Sequence, residues 1–425
     1  MKDRVVITGL GVAAPNGVGL IAFTDSMKKG RSGIRFLQEL KDLNFSCCIG
    51  GIPEVSDALK EQYFSPLQLK NFNSSGILYG CMAGIDAWKD AGLPDITSVT
   101  PDWDSGMIFG TSASGVDKFR ESIYKIDDGN VKGLGSTAVL QTMSSGISAY
   151  LSGMLGLGNQ VSTNSSACST GTEAVLMGFE RIQSGKAKRM LVGSCSDHGP
   201  YIWGGFDAMR VISYKHNDTP ELASRPMSAT ASGFVPGSGA GAILLESLTS
   251  ALERGVRIYG EILGGAVNSG GQRDDGSMTA PNSIAVQRCI RDAVEQSGIN
   301  ADEIDLINGH LTATSKDALE VKNWSAALNR KGDQFPYIHS LKSMTGHCLS
   351  AAGAVETVGA VIGLYEDFIF PSINCEDVYP EIASIISADK IPHSLVENTG
   401  LRTIAKASFG FGDVNACIIL KKYIP

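Results

Sequence analysis

The chain has 425 residues, of which 43% are hydrophobic and 19% are charged, and its formal net charge at pH 7 is −8. This length is enough for a large core, in two or three domains or in one duplicated unit. The low charged fraction and the 50 glycines exclude a disordered or coiled-coil protein. The acidic balance argues against nucleic acid as the main partner.

The nine cysteines are scattered, with no CxxC pair and no Cys/His set at zinc spacing. The sequence therefore suggests neither a disulfide framework nor a metal site, and we expect a reducing, cytoplasmic environment. The N-terminus enters a predicted strand directly and lacks the apolar region of a signal peptide. No window is long and apolar enough to span a bilayer, so we expect no membrane insertion.

Strands alternate with helices along the whole chain, which predicts an α/β fold. The glycine-punctuated segment that follows the first strand lacks the spacing of a dinucleotide-binding loop. In the first half we predict strands at 4–10, 105–110, 189–195 and 240–247, and helices at 75–91, at 139–152, after Cys168 and at 248–254. In the second half we predict strands at 257–264, 304–309, 337–342, 403–408 and 414–421, and helices at 282–297, 318–329 and 348–365.

The restart of the pattern predicts two related halves, residues 1–255 and 256–425. The helices after Cys168 and His347 are both rich in small residues, and the second is apolar all round, which is typical of a buried helix. Each half would then place one reactive side chain at the head of a buried helix. We expect a pseudo-twofold axis between these two helices.

Cys168 lies in the stretch Asn164–Thr172, where small residues surround it and a turn is predicted to become a helix. Small neighbours would let a carbonyl group approach the sulfur. The helix N-terminus supplies unpaired N–H groups and positive potential, which favour the thiolate over the thiol. The pattern predicts an activated nucleophile.

Two histidines differ from the other four in the chain. His310 follows a predicted strand, and His347 ends the elbow Met344-Thr345-Gly346-His347. Strand ends are where α/β architectures place their sites. A cysteine with one histidine is compatible with a hydrolase. A cysteine with two neutral imidazoles can instead stabilise a developing oxyanion, as carbon–carbon bond formation requires.

In this order and with this spacing, the three motifs resemble the β-ketoacyl-[acyl-carrier-protein] synthases of the thiolase superfamily, and synthase II in particular. The resemblance covers nearly the whole chain. It also includes the stretches Arg4–Gly11, Ser224–Pro226, Gly233–Val235, Lys342–His347, Ala351–Glu356 and Ser408–Gly412.

The resemblance implies the thiolase fold, a duplicated five-layered αβαβα arrangement, working as a homodimer. Cys168 would accept the acyl group, and the N–H groups of Cys168 and Phe411 would form its oxyanion hole. His310 and His347 would hold the malonyl thioester oxygen during decarboxylation, before a Claisen condensation extends the chain by two carbons. Lys342 would complete the catalytic set.

The remaining roles implied by the resemblance support this set. Glu356 would pair with Lys342 behind the histidines, and Phe411 would act as a gate, with Phe409 beside it. Thr312 and Thr314 would hold the phosphopantetheine arm. Ala113 would line the acyl pocket, and its small side chain predicts a tunnel for long or bulky chains.

The resemblance implies no metal or organic cofactor, because decarboxylation drives the reaction. The partners would be acyl and malonyl thioesters on an acidic acyl carrier protein, docked near the basic residues Lys70, Arg210 and Lys215. The pathway would be fatty-acid synthesis or a related polyketide or polyene route. The alternatives are a coenzyme A-dependent, thiolase-like condensing enzyme and the active subunit of a ketosynthase/chain-length-factor heterodimer.

Some positions depart from the pattern of the family. Leu311 stands where glycine is usual, the loop from His310 to Glu320 is one residue shorter, and Asp413-Val414 replaces Gly-Thr. Because leucine cannot adopt every backbone conformation open to glycine, we expect an altered loop at Thr312 and Thr314. Such departures are compatible with neutral drift or with a specialised condensing enzyme.

Overall fold

The computed structural model describes residues 3–69, 72–94 and 99–425. Within these ranges, no helix has the length and apolar composition needed to cross a lipid bilayer. The strands are β1 Val5–Ala14, β2 Gly17–Val18, β3 Ile34–Phe36, β4 Ile49–Gly51, β5 Ser105–Gly110, β6 Val161–Ser162, β7 Arg189–Ser196, β8 Gly239–Ser247, β9 Gly260–Ser269, β10 Leu306–Asn308, β11 Tyr337–His339, β12 Phe368–Ile369, β13 Val396–Glu397, β14 Thr403–Gly410 and β15 Val414–Lys421.

The helices connect these strands and cover the sheets. They are α1 Leu20–Lys28, α2 Gln38–Asp42, α3 Asp57–Lys60, α4 Pro66–Leu69, α5 Ser75–Asp90, α6 Val116–Asp127, α7 Ala138–Thr142, α8 Gly146–Leu155, α9 Thr170–Gln183, α10 Pro200–Ala208, α11 Leu248–Arg254, α12 Ser283–Gln296, α13 Asp317–Leu328, α14 Lys342–Thr345, α15 Ala352–Glu366 and α16 Pro380–Ala383.

The main sheet is a duplication. Its strand order is β11-β10-β14-β15-β9-β1-β8-β7-β5-β6. If the five strands of each half are numbered along the chain, both halves have the order 3-2-4-5-1. The pairing senses agree as well, since β5 pairs with β6 and β7 in parallel and β10 pairs with β11 and β14 in parallel. The two halves meet at an antiparallel contact between β1 and β9.

The layers follow from where the buried helices pack. α5 covers the outer face of the first half-sheet, α9 and α15 lie together between the two half-sheets, and α12 and α13 cover the outer face of the second. This is the predicted five-layered thiolase fold. The second repeat starts at β9, while the proposed division at residues 255/256 stays a prediction.

The two central helices touch at a pair of glycines. A Cβ atom on Gly171 would lie 2.3 Å from the backbone nitrogen of Ala354, and one on Gly353 would lie 2.6 Å from that of Thr172. Neither position can carry a side chain without separating the helices, since such distances are well inside van der Waals contact. The contact fixes the Cys168 helix against the helix that follows His347, as the predicted pseudo-twofold arrangement requires.

Several predicted elements need correction. The predicted helix 139–152 is wrong, because it is broken into α7 and α8 by Met143, which has an extended backbone. The strand predicted at 337–342 ends at His339, and Lys342–Thr345 instead form a helical turn. The strand predicted at 257–264 runs over Gly260–Ser269. The other predicted strands and helices lie within a few residues of their observed positions.

Candidate active site

Cys168 lies on a 3₁₀ turn, Ala167–Ser169, directly ahead of α9. The turn is held from both sides. The Thr170 hydroxyl donates to the Ala167 carbonyl at 2.7 Å, and the Ser169 hydroxyl lies 3.1 and 3.0 Å from the carbonyls of Ser408 and Val414. The nucleophile of the first half is therefore fixed to the β14–β15 hairpin of the second half.

The thiol of Cys168 is less acidic than the sequence suggests. Burial raises its pKa to about 11, although the Lys342 charge and the backbone N–H of Phe411 act in the opposite direction. The expected contribution of the helix N-terminus favours the thiolate, but it does not set the overall direction of the pKa shift. Desolvation of the charged form outweighs the favourable dipole and hydrogen bonds.

His347 contacts the thiol directly. Its Nε2 atom lies 3.1 Å from the Cys168 sulfur, and its Nδ1 atom lies 3.2 Å from the backbone nitrogen of Leu349. Because Nδ1 accepts that N–H, the neutral ring carries its proton on Nε2. His347 therefore presents a hydrogen-bond donor to the sulfur and to any oxygen that binds there.

His310 completes the constellation. Its ring centroid lies 5.3 Å from that of His347 at an angle of 83°, and the ligand atoms of Cys168, His310 and His347 all lie within 4.8 Å of one another. Burial, reinforced by the positive charge of Lys342, holds the pKa of both imidazoles well below the ordinary value. Two neutral rings beside one sulfur can act as hydrogen-bond donors without carrying charge.

A buried charge cluster supports the two histidines. The Lys342 ammonium donates to the His310 carbonyl at 2.6 Å and pairs with Glu356. Lys406 pairs with the other carboxylate oxygen of Glu356 at 2.7 Å, and all three side chains are at most 2% exposed. The predicted Lys342–Glu356 pair is confirmed as a contact, and Lys406 is an unpredicted third member.

The loop after His310 is held by two buried carboxylates. Glu320 accepts the backbone N–H groups of His310 and Leu311, both at 2.7 Å, and Asp317 accepts those of Thr312 and Ala313 at 2.9 and 3.1 Å. Burial raises the pKa of Glu320 to about 7 and that of Asp317 to about 6. From the sequence, we predict no role for Asp317 and Glu320 beyond their place at the end of the loop that follows His310.

This arrangement accounts for the departure at Leu311. Leu311 has φ 20° and Ala313 has φ 62°, both on the side that favours glycine. The carboxylates compensate by accepting the backbone N–H groups that this conformation brings together. The hydroxyls of Thr312 and Thr314 lie 3.1 Å apart and line the cavity, so the altered loop keeps both at the site.

The catalytic atoms lie at the floor of a cavity of about 710 Å³. Ala113, Phe409 and Phe411 also line it, as the sequence predicts for a pocket residue and for the gate region. Of the proposed basic residues, Arg210 lines the cavity and Lys215 is exposed. Lys70 lies outside the described residues.

One unpredicted residue could have been found in the sequence. Lys406 stands in the otherwise apolar run Thr403-Ile404-Ala405-Lys406-Ala407, and a lysine inside a buried strand requires a counter-charge. For Asp317 and Glu320, the sequence shows only acids at the start of a helix, which is also their usual solvent-exposed place.

Comparison with known proteins agrees with this geometry. The profile of the beta-ketoacyl synthase N-terminal domain matches residues 2–251, and that of its C-terminal domain matches residues 259–376. The chain is 34% identical to 3-oxoacyl-[acyl-carrier-protein] synthase 1 of Haemophilus influenzae, with 99% of each chain covered. It is 31% identical to synthase 2 of Vibrio cholerae over the same share of both chains.

Solved structures agree with the sequence matches. A beta-ketoacyl synthase from Burkholderia phymatum superposes with a TM-score of 0.89 at 26% identity, covering 99% of this chain and all of the other. The ishigamide ketosynthase/chain length factor gives 0.88 at 25% identity over the whole of both chains. A type II polyketide ketosynthase in complex with its acyl-carrier protein gives 0.86 at 25% identity, again over both whole chains. The chain therefore belongs to the beta-ketoacyl synthase family of condensing acyltransferases.

Proposed function

We propose that this chain is a 3-oxoacyl-[acyl-carrier-protein] synthase, which extends an acyl chain by two carbons in fatty-acid or related polyketide or polyene synthesis. One observation is the main support for the proposal. The Cys168 thiol lies next to two neutral imidazoles, and all three side chains line a large cavity. A thiol can hold an acyl group, and two uncharged donors can stabilise an enolate.

In the first half-reaction, the sulfur of Cys168 attacks the carbonyl carbon of the acyl thioester. The carbonyl oxygen becomes an oxyanion, which the N–H groups of Cys168 and Phe411 receive. The carbon–sulfur bond to the carrier then breaks, and the departing carrier thiolate takes up the proton lost by Cys168. Because the pKa of the free thiol is raised, only a small fraction of Cys168 is thiolate at neutral pH before the thioester reacts.

In the second half-reaction, the malonyl thioester binds with its carbonyl oxygen between His310 and His347. The bond to the carboxylate breaks, carbon dioxide leaves, and the electron pair forms an enolate held by the two ring donors. The enolate carbon attacks the acyl carbonyl, the carbon–sulfur bond to Cys168 breaks, and the departing thiolate takes up one proton from the solvent. The products are a β-ketoacyl thioester, carbon dioxide and the free enzyme, so the proposed route needs no metal or organic cofactor.

An acidic carrier protein is the proposed donor of both thioesters. The exposed Arg210 lies on the cavity wall, and the exposed Lys215 follows it closely in the chain. Positive side chains at the mouth would steer an acidic partner. One solved relative has its acyl-carrier protein bound, which supports the same kind of partner here.

A homodimer is the proposed assembly. Helix α6 exposes Phe119, Ile123 and Ile126, which are 56%, 44% and 51% exposed and share one face of the helix. Among the strands of the described residues, the edge strand β6 has a partner, β5, on one side only. An apolar helix face and an open sheet edge are each surfaces that suit a second copy of the chain.

A reducing, cytoplasmic location is also part of the proposal. All nine cysteines are free thiols and eight of them are buried. Free thiols persist where the surroundings keep them reduced.

The test is sequential incubation of the protein with acyl-carrier protein and then malonyl-carrier protein, followed by intact-mass analysis. We expect an acyl adduct on Cys168 and then a carrier-bound chain two carbons longer. Cys168→Ala should show neither. If the substituted protein behaves like the wild type, the proposal is wrong.

A heterodimer with this chain as the active subunit is the second candidate. The match to the ishigamide ketosynthase/chain length factor favours it. Light scattering separates the two assemblies. A stable dimer of the purified chain that condenses alone supports the homodimer, whereas an inactive monomer supports the heterodimer.

A further inference from the structure

Asp413 has no role in the reaction described above. It lies three residues after the end of β14 and directly before β15. It belongs to the turn Phe411–Asp413, has φ 62° and is fully buried. Aspartate tolerates this left-handed region better than most side chains, but glycine adopts it more readily. A buried carboxylate in such a place requires partners that compensate for both burial and conformation.

Its partners all lie in one facing segment, which we call the wall loop (residues 270–282). The Asp413 carboxylate accepts the backbone N–H of Gln272 at 2.9 Å and that of Asn282 at 2.8 Å. The Asp413 carbonyl accepts the N–H of Gly270 at 3.0 Å, and Gly412 donates to the Met278 carbonyl at 2.8 Å. Four hydrogen bonds therefore join the turn to the wall loop.

The wall loop is shaped around this carboxylate. A Cβ atom on Gly270 would lie 2.2 Å from the Asp413 Oδ2 atom, and one on Gly276 would lie 2.6 Å from the same oxygen. Both glycines are needed because the carboxylate occupies that space. Asn282 extends the connection, since its side chain accepts the N–H of Ala285 and caps α12.

Both joined segments line the catalytic cavity. The turn and the end of β14 contribute Phe409, Gly410 and Phe411, and the wall loop contributes Thr279 and Pro281. A Cβ atom on Gly410 would lie 3.1 Å from the backbone nitrogen of Cys168, so the backbone N–H of Phe411, the next residue, belongs to a segment that packs directly against the nucleophile. The position of that N–H is therefore tied to the position of the opposite wall through Asp413.

We infer that Asp413 is a positioning residue for the acyl-transfer step. By bonding the wall loop, its carboxylate fixes the Phe411 N–H opposite the Cys168 sulfur, where the oxyanion forms. This inference rests on the proposed function, and it assigns a purpose to a side chain that stands where glycine is usual.

The test compares two reactions of the same sulfur. Acylation by a carrier-bound thioester passes through an oxyanion, whereas alkylation by iodoacetamide forms none at a carbonyl. In Asp413→Gly and Asp413→Asn, we expect the single-turnover acylation rate to fall about tenfold. The reason is that a displaced Phe411 N–H group stabilises the oxyanion less well. We expect the alkylation rate to stay close to that of the wild type.

Asp367 offers a matched control. It also has a left-handed φ, 58°, and its carboxylate also accepts backbone N–H groups of a facing loop, from Gly400 and Leu401. It follows α15, and it does not line the catalytic cavity. Asp367→Gly and Asp367→Asn should lower stability without changing the ratio of acylation to alkylation.

Hydrogen exchange provides an independent readout. The amides of Gln272 and Asn282 should exchange faster in the Asp413 variants. An unchanged ratio of the two rates, or a parallel fall in both, would overturn the inference. A wild-type protein that is never acylated would instead refute the proposed function. Where Asp413→Gly does not fold, the isosteric Asp413→Asn supplies the same comparison.

Discussion

His347 contacts Cys168 through a nitrogen whose proton is fixed by the backbone. Its Nε2 atom lies 3.1 Å from the sulfur, while Nδ1 accepts the N–H of Leu349. A ring held in this tautomer donates to the sulfur and cannot take up the thiol proton at Nε2. The arrangement suits an enolate-stabilising donor better than the general base of a Cys-His hydrolase.

The first prediction follows from this tautomer. In His347→Ala and His310→Ala, we expect malonyl decarboxylation and condensation to fall by about 10²–10³, the usual effect of removing one oxyanion donor. Acylation of Cys168 should fall by much less, because its oxyanion is held by backbone N–H groups. Intact-mass measurement of the two half-reactions checks the difference.

His339 is the control for this prediction. It is also a buried, neutral histidine, whose pKa burial lowers to about 3, and it stacks on Phe370 away from the cavity. His339→Ala should lower stability and leave the ratio of the two half-reactions unchanged. Equal losses of acylation and condensation in His347→Ala would contradict the assigned role.

The second prediction concerns the reactivity of the free thiol. Because burial raises the pKa of Cys168 to about 11, the thiolate fraction should rise about tenfold per pH unit through the neutral and mildly alkaline range. Iodoacetamide alkylation, measured by mass, should therefore keep accelerating up to about pH 10. A plateau above about pH 8.5, where an unperturbed cysteine titrates, would show that the site does not raise the pKa of the thiol.

The third prediction concerns pH and the loop that carries His310. Ionised Glu320 accepts two backbone N–H groups, and its pKa is raised to about 7. Protonation replaces one acceptor by a donor, which loosens the loop. We expect condensation to fall as the pH drops from 8 to 6, and this fall should be smaller in Glu320→Gln, which starts from a lower rate.

The free energy of unfolding should change with pH in the opposite direction to the condensation rate. A carboxyl group with a raised folded pKa binds its proton more tightly in the folded state than in the unfolded state. Glu320 therefore adds stability below its unfolded pKa, and this contribution is lost as the pH rises towards 7. Urea denaturation at pH 5 and pH 8 should show this trend in the wild type and a weaker one in Glu320→Gln. Identical trends in the two proteins would refute the assignment.

The sequence predicts the site better than it predicts the electrostatics. Cys168, His310 and His347 could be found because each stands among small residues at a turn or strand end, which is a local pattern. The thiol pKa, the partner of Lys406 and the hydrogen bonds between Asp413 and the wall loop depend on burial and on distances between segments that are far apart in the sequence, and no local pattern contains them. The sequence does not predict the break between α7 and α8, because the apolar residues on both sides of Ser144 and Ser145 keep a helix-like pattern.

The fourth prediction compares glycine and alanine at Leu311. The side chain is fully buried, so truncation should cost about 2–5 kcal/mol in either variant. Glycine also relieves the positive φ, which costs an L-residue about 1–2 kcal/mol. We expect Leu311→Gly to be more stable than Leu311→Ala in urea denaturation, although less stable than the wild type.

Leu328 is the reference position for the relative stability of glycine and alanine variants. It is equally part of the second-half core and ends helix α13, where φ is negative. There glycine should be less stable than alanine, since glycine in a helix costs about 1 kcal/mol more. The same order at both positions would mean that Leu311 is not strained.

The fifth prediction concerns acyl-chain length. Ala113 is half-buried and lines the cavity, as do Val116 and Tyr201, so a larger side chain there would occupy cavity volume. Ala113→Phe should lower kcat/KM for long acyl chains by at least about tenfold, since losing room for a single methylene already costs about that much. The values for acetyl and butyryl donors should stay close to those of the wild type.

Two further variants make this chain-length result interpretable. Ala113→Ser keeps the volume and should keep the wild-type length profile. Val116→Phe narrows the same wall from the first residue of helix α6, and it should shorten the accepted chain as Ala113→Phe does. A wild-type preference restricted to acetyl or butyryl donors would contradict the long-chain tunnel, as would an unchanged profile in both phenylalanine variants. A shortened profile in both would place the end of the acyl channel between Ala113 and the start of α6.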